Sequence, residues 1–372
     1  MLHKLFSIAL LCLPATAFGM EENKVYIPKG LVNHRNACFI NASLQALHAS
    51  IDFASLALEH GYYHKRGSLS ALLRECATQL RMTQSPSVHP AELHTSIYTH
   101  LGMGEHEQGD ANECLATLLN HITETDINDE YKQYRHKYKG TQTQTMRTEL
   151  SELFYVHIRH LRIDPQNDAF IGTKAPEQTI GLSLEVRPRD KNLSDCLNRY
   201  FQSQSEYFRS DPDTLIEGAN RRFLEETQNY LFIMLDRKEG HRGQVGISYL
   251  KEDAYISFPL KKLDLSPYFL LREKNKGPYE LIAVIMHCGN ADGGHYTTYS
   301  KLGNQWYFCD DAAVTPVSEE SITRISQQGS TENGSVATTF VYELSSARPT
   351  YPTKASSSHS GIYNLIKLYI LN

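Results

Sequence analysis

The apolar positions divide the chain into a helical first part and a strand-rich second part. Ile40, Leu44, Leu47 and Ile51 recur at helical spacing, so the turn from Gly30 to Ala37 is expected to deliver Cys38 to the start of a helix. Leu56 to His60, Ser68 to Leu80 and Ala91 to Leu101 carry the same spacing, with a Pro-marked break between Ser85 and Pro90. Asp110 can cap a further helix while Glu113 closes a capping box, and Leu115, Leu118, Leu119 and Ile122 form its buried face. Residues 128–150 turn polar, and alternation then takes over. Leu153 to Ile163, Ile180 to Val186 and Tyr230 to Leu235 read as strands, and Leu193 to Phe201 as a helix among them. Gly240 to Gly246 reads as a Gly-rich loop, and Ile256 to Leu260 as a short edge strand because Pro259 cannot join a central ladder. Tyr279 to His287, His295 to Ser300 and Gln305 to Asp310 form an antiparallel meander, followed by a last strand near Thr338 to Leu344.

The two ends stand apart from this pattern. Lys4, the apolar run Leu5 to Leu13, Pro14 and Ala15-Thr16-Ala17 look like a secretory signal within residues 1–19. The run is too short to cross a bilayer, so an exported protein with no stable membrane insertion is expected. A folded domain over 25–345 is then followed by a Ser/Pro-rich linker and an apolar tail over 346–372.

Composition narrows the function. The 372 residues are 41% hydrophobic and 21% charged, as in a globular protein. A formal charge of −5 with no Lys/Arg run argues against nucleic acid as a partner. Cys12 lies in the signal-like segment, and the other six of the seven cysteines are widely spread with no C-x-x-C pair. That spacing permits disulfides but gives neither a stapled framework nor a structural zinc site. His60/His64 and His157/His160 have ligand-like spacing without cysteine or carboxylate partners, so no metal or cofactor is expected.

Alone, Cys38 reads as a core thiol. At a helix N-terminus it also meets unpaired backbone N–H groups and the positive end of the macrodipole, which favour the thiolate. Such a nucleophile needs a base and a group that orients it. His295 follows two glycines and opens a strand, and Asp310 ends the next one, so antiparallel pairing can bring the two together. Asp311 is the other carboxylate at that strand end, and the pattern alone allows either to be the orienter.

With these residues in view, the chain resembles the ubiquitin-specific proteases, papain-like cysteine hydrolases that cleave ubiquitin from proteins. Their G-L-x-N-x-G-N-T-C-Y-x-N-S-x-L-Q-x-L pattern is met by Gly30, Leu31, Asn33, Asn36, Cys38, Asn41, Leu44, Gln45 and Leu47. Their second box is met by Tyr279 to Ile285, His287, Gly289, Gly293-Gly294-His295-Tyr296-Thr297, Tyr299, Trp306 and Asp310-Asp311. Gln108, Asp110, Ala111 and Glu113 resemble the Q-Q-D-A-x-E-F helix, and Phe258-Pro259-Leu260 with Leu263-Asp264-Leu265 the F-P-x-x-L-D-L segment.

The resemblance implies an α+β papain-like cysteine protease fold with a helical thumb, a β-rich palm and β fingers, here without the zinc-binding cysteines. It implies Cys38 as nucleophile, His295 as general base, Asp310 as its orienting residue and Asn33 as an oxyanion donor. Gly293 and Gly294, with Tyr296, would wall a channel for a Gly-Gly tail, and Asp110 and Glu113 would suit a basic substrate tail. The expected partner is ubiquitin or its conjugates, acted on by a monomer. The rival readings are the same chemistry on another ubiquitin-like modifier, or an inactive ubiquitin-binding module. Departures are Arg35 for glycine, Ala37 for threonine, Phe39 for tyrosine, Ala42 for serine, Gly109 for glutamine, Cys114 for phenylalanine and Asp236-Arg237-Lys238 for K-R-F. Arg35 is expected to be strained if its turn needs a positive φ. The signal-like segment sits uneasily with an intracellular modifier unless the protein is exported into a host cell.

Overall fold

The computed structural model describes residues 28–50, 67–123, 153–164, 166–167, 169–209, 215–243 and 246–346. The signal-like segment, the expected helix at Leu56 to His60, the polar stretch 128–150 and the linker and tail beyond 346 lie outside the described residues.

A helical lobe comes first. Strand β1 (Gly30–Leu31) leads into α1 (Cys38–His48), followed by α2 (Leu69–Met82) and by β2 (Ser87–Val88), which runs parallel to β1. Then come α3 (Ala91–Leu101) and α4 (Ala111–Thr123). Every residue of α1 from Cys38 to Leu47 is buried, as for a helix covered on all sides. It packs on the later sheet, where Thr298 and Ser300 hydroxyls donate to the Ala42 and Gln45 carbonyls at 2.9 and 3.1 Å.

The remaining chain supplies two sheets. In order it forms β3 (Tyr155–Ile163), β4 (Phe170–Thr173), β5 (Glu177–Ile180), β6 (Leu182–Glu185), α5 (Leu193–Phe201), β7 (Gln204–Arg209), β8 (Leu215–Glu226) and β9 (Tyr230–Asp236). Next are the hairpin β10 (Lys238–Gly243) and β11 (Gly246–Lys251), then β12 (Tyr279–Gly289), β13 (Gly294–Leu302), β14 (Gln305–Asp310), β15 (Ala313–Val317), α6 (Glu319–Gln328) and β16 (Val336–Leu344). The smaller sheet has the order β4-β3-β8-β7 with β5 on β3, and the larger has the order β15-β14-β13-β12-β16-β9-β6. The meander expected at the end of the chain is therefore β12, β13 and β14, flanked by β16 and β15.

Three local expectations are corrected. Ile180 to Val186 is not one strand. Gly181 takes φ +70°, and an added Cβ there would lie 2.3 Å from the Phe232 carbonyl oxygen. The chain turns at this glycine, so β5 joins β3 in the smaller sheet while β6 pairs in parallel with β9 in the larger. Gly240 to Gly243, and Gly246, belong to the strands β10 and β11 rather than to a loop. Ile256 to Leu260 is no strand; Ser257 makes an isolated bridge to Asn192.

The smaller sheet occupies the place of the fingers, and Cys196 in α5 is the single cysteine between Leu153 and Leu263. Ionic and ring contacts tie its strands together. Glu206 receives Arg162 Nε at 3.4 Å and pairs with Lys174, and the Arg162 guanidinium lies over the Phe208 ring at 4.6 Å. Arg159 reaches Glu225 through Nε and Nη2 at 2.9 and 2.6 Å.

Candidate active site

The turn before α1 is the most constrained backbone near the site. Arg35 and Asn36 both sit in the left-handed region, at φ 57° and 70°. This region costs about 1–2 kcal/mol for a residue such as arginine and less for asparagine. Contacts to α3 and the loop after it hold them there. Asn36 Nδ2 donates to the His106 carbonyl at 2.7 Å, Tyr98 Oη to the Arg35 carbonyl at 2.9 Å, and the Arg35 side chain pairs with Glu105. The strain expected at Arg35 is present, and Asn36 shares it.

Gly30 explains how this turn meets the second site segment. A Cβ at Gly30 would lie 2.1 Å from the Ala312 carbonyl oxygen, so only glycine lets β1 press against the turn that follows Asp310. Leu31 N then donates to the Asp311 carbonyl at 2.8 Å. The Phe39 ring lies where a Cβ on Gly109 would come within 2.5 Å, so glycine at 109 makes room for the ring.

His295 and Asp310 meet as β13 and β14 predict, with His295 Nε2 2.6 Å from Asp310 Oδ1. Nδ1 is the ring nitrogen left for Cys38, which heads α1. The interaction with Cys38 is the largest influence on the ring, burial opposes it, and Asp310 supports it, so the imidazole is raised to about 9. Burial pushes the thiols of Cys76, Cys114, Cys196 and Cys309 up to about 12, which leaves them protonated and inert. Cys288 is exposed, and all six described cysteines are free.

Asp311 does something the sequence did not disclose. Its Oδ2 accepts from Asn33 Nδ2 and its Oδ1 from Asn41 Nδ2, both at 2.8 Å. Asn33 Oδ1 accepts from Ala37 N at 2.8 Å, which braces the turn immediately before Cys38. Asn41 Nδ2 also donates to the Leu31 carbonyl at 3.0 Å, so its Oδ1 is the acceptor toward His94 Nε2 at 2.9 Å. His94 therefore carries its proton on Nε2, and its Nδ1 is buried without a partner. Burial, with a smaller push from His34, lowers His94 to about 4, so the ring is neutral. His94 carried no sequence signal, being one histidine of 17 in an ordinary helix. The ligand-type atoms of His295, Asp310 and Asp311 lie within 4.8 Å of one another, but both Asp311 oxygens are already engaged by amides.

A cavity of about 360 Å³ runs away from Cys38, lined by Gln108, Asp110, Glu113, Gly293, Gly294 and Tyr296. Gln108 Oε1 accepts from Gly294 N at 2.7 Å, and a Cβ on Gly293 would strike that same oxygen at 2.3 Å. Asp110 caps α4, accepting from Asn112 N at 2.8 Å, and its other oxygen receives Lys238 Nζ at 3.0 Å. Lys251, paired with Lys238 across the hairpin, donates to the Gly289 carbonyl at 2.7 Å. Glu113 is exposed at the first turn of α4. The Arg237 guanidinium is buried and bonds the Ala337, Glu252 and Ala254 carbonyls at 2.8, 2.8 and 2.9 Å, and burial lowers it to about 10.

Residues 29–342 match the family described as ubiquitin carboxyl-terminal hydrolase. Ubiquitin carboxyl-terminal hydrolase 2 of Homo sapiens is 26% identical over 348 residues, covering 82% of this chain and 54% of that protein. Ubiquitin carboxyl-terminal hydrolase 12 of Saccharomyces cerevisiae is 40% identical over 164 residues, covering 42% of this chain and 13% of that protein. The chain thus spans about half the length, or less, of the curated relatives it matches. Among solved structures, the SAGA Ubp8/Sgf11/Sus1/Sgf73 DUB module bound to ubiquitin aldehyde shares the fold, with a TM-score of 0.65 at 21% identity over 92% of this chain and 76% of that one. Helical lobe, central sheet and finger sheet together are an α+β ubiquitin-specific protease fold, and by the match over 29–342 the chain belongs to the ubiquitin carboxyl-terminal hydrolase family.

Proposed function

We propose that this protein is a thiol hydrolase that cleaves the amide or isopeptide bond after the C-terminal glycine of ubiquitin. The observation that carries this reading is the row formed by Cys38, His295 and Asp310, with His295 held at 2.6 Å by the carboxylate and biased toward its protonated form by the thiol. Similar solved chains are bound to monoubiquitin and to ubiquitin aldehyde, which supports ubiquitin as the substrate.

In this mechanism the Cys38 thiolate attacks the glycine carbonyl carbon. The resulting oxyanion is received by the free N–H groups at the start of α1 and by Asn33, whose amide nitrogen keeps one hydrogen beyond that given to Asp311. His295 passes its proton to the amine nitrogen as the C–N bond breaks. It then takes a proton from the water that attacks the thioester, and Cys38 leaves as thiolate. Gly293 and Gly294 admit a tail without side chains, while Asp110 and Glu113 face its basic residues once Lys238 yields its place on Asp110. The export implied by residues 1–19 belongs to the same proposal, and sequencing the N-terminus of secreted protein checks it.

Ubiquitin carrying an electrophile at its C-terminus tests the function. A covalent adduct on Cys38 is expected, and its absence removes the proposal. Preferential labelling by another ubiquitin-like modifier moves the substrate while keeping the chemistry.

The pH dependence follows from His295. Its folded value of about 9 stands above the ordinary 6.5, so the imidazolium is held through neutral pH and is lost as pH rises through about 9. The same sign holds for stability, which gains from this group below 6.5 and loses that gain by about 9. The alkaline limb of kcat/KM is expected near pH 9, and Asp310→Asn is expected to move it downward by removing one of the groups that raise His295. A limb unmoved in Asp310→Asn would assign it to another group.

A further inference from the structure

The alternation along β13 sends its residues into two different cavities. Tyr296 lines the cavity that holds Cys38, Gly293 and Gly294. His295, Thr297 and Tyr299 line a second cavity of about 410 Å³, which also takes in Asp310. The Tyr299 and Phe308 rings, 4.9 Å apart, form an apolar wall with Val317 and Ile325, while Gln328, Thr331, Asn333 and Ser335 make the remainder polar. Arg324 pairs with Glu332 at 3.2 Å, and both side chains are exposed. Val317, at the end of β15, and Ser321, in α6, line the same space from two separate elements.

We propose that this second cavity is the leaving-group subsite, seating the segment that bears the acceptor lysine and favouring an apolar or aromatic side chain beside that lysine. The inference rests on the hydrolase reading above and adds to it the chemistry of the other half of the substrate.

The direction of the reaction gives the argument. With the scissile carbonyl carbon at the Cys38 sulfur, the acyl part lies back along the glycine-walled cavity, so the amine departs on the other side. When the C–S bond forms and the C–N bond breaks, the electron pair of that bond stays on nitrogen. The nitrogen takes the His295 proton and leaves as a neutral amine. Such a transfer needs the nitrogen within about 3 Å of the ring, so the leaving segment begins at His295. Among the cavities described, the one lined by His295 and Asp310 is where that segment arrives. Two neighbouring rings and an aliphatic wall then favour an apolar neighbour of the lysine by burying its surface.

The test compares two isopeptides in which ubiquitin is joined to a lysine flanked by Phe or by Gly, with ubiquitin methyl ester as a reference whose leaving group is too small to fill the cavity. The wild type is expected to prefer the Phe isopeptide by about tenfold in kcat/KM, the scale of a hydrophobic subsite. Ser321→Trp and Val317→Trp each fill the space from a different element, so a folding defect in one leaves the other to be read against the ester. In both, the Phe/Gly ratio is expected to fall toward one. A wild-type ratio of one, or a ratio that both tryptophans leave unchanged, overturns the subsite. A wild type that cleaves none of the three substrates overturns the hydrolase reading instead.

Discussion

Cys38→Ala is expected to bind ubiquitin with unchanged affinity and to lose turnover of a ubiquitin C-terminal amide by about three orders of magnitude or more, as for other essential nucleophiles. Among the described residues no other thiol can take its place. Four of the remaining described cysteines are buried and held protonated, with values raised to about 12. The exposed Cys288 lines the second cavity, away from the Gly-Gly channel. Truncating one sulfur at the head of a fully packed helix leaves a small void, so the loss of stability should stay near 1 kcal/mol. Rate assays beside calorimetric binding check the two halves of this expectation. Residual hydrolysis above one part in a hundred would place the nucleophile elsewhere.

The second large effect belongs to Asp311, which touches neither the thiol nor, by hydrogen bond, the imidazole. Asp311→Ala frees Asn33 and Asn41 together and places an alanine at φ 49°, a region that aspartate tolerates better. If Asn33 receives the oxyanion, kcat should fall by about 10²–10³ with KM little changed, the range measured when one such donor is removed. Loss of two charge-assisted bonds should cost about 2–3 kcal/mol of stability, partly relieved because Asn41 keeps the Leu31 carbonyl. Asp311→Asn retains the backbone geometry and one acceptor, so it should fall between the two. The decisive measurement is the double variant with Asn33→Ala. If Asp311 acts through Asn33, the two losses in kcat will not add, whereas full additivity would give Asp311 an independent role.

The elements that position the chemistry were legible because their periodicity is strong. The helices Ala91–Leu101 and Leu193–Phe201 begin and end where the apolar spacing placed them, and the second starts at a complete capping box between Asn192 and Asp195. The meander was equally plain, since β12 is a long apolar run and β13 alternates, with a short glycine turn between them. The fingers were not. Strand β8 contains Glu217, Arg221, Arg222, Glu225 and Glu226, a composition that hides a strand. Strand β15 carries Pro316 and is an edge, and β4 is a four-residue edge exposed along most of its length.

Within the site, the distinction between the paired aspartates was illegible for a physical reason. Both are carboxylates at one strand end, and only the approach of β1, allowed by Gly30, delivers Asn33 and Asn41 to the second of them. The close approach of Phe39 to Gly109 was hidden in the same way, because the two positions lie far apart along the chain.

The finger sheet carries a last consequence. Its strands are joined through Glu206, with Arg162 and Lys174 on it and Phe208 beneath the guanidinium, in a stretch whose single cysteine is elsewhere. These ion pairs and the ring contact are themselves metal-free links, so a chelator is expected to leave them in place. They are partly exposed, and such pairs weaken as salt rises. The cohesion of the finger strands would then follow the ionic strength of the compartment.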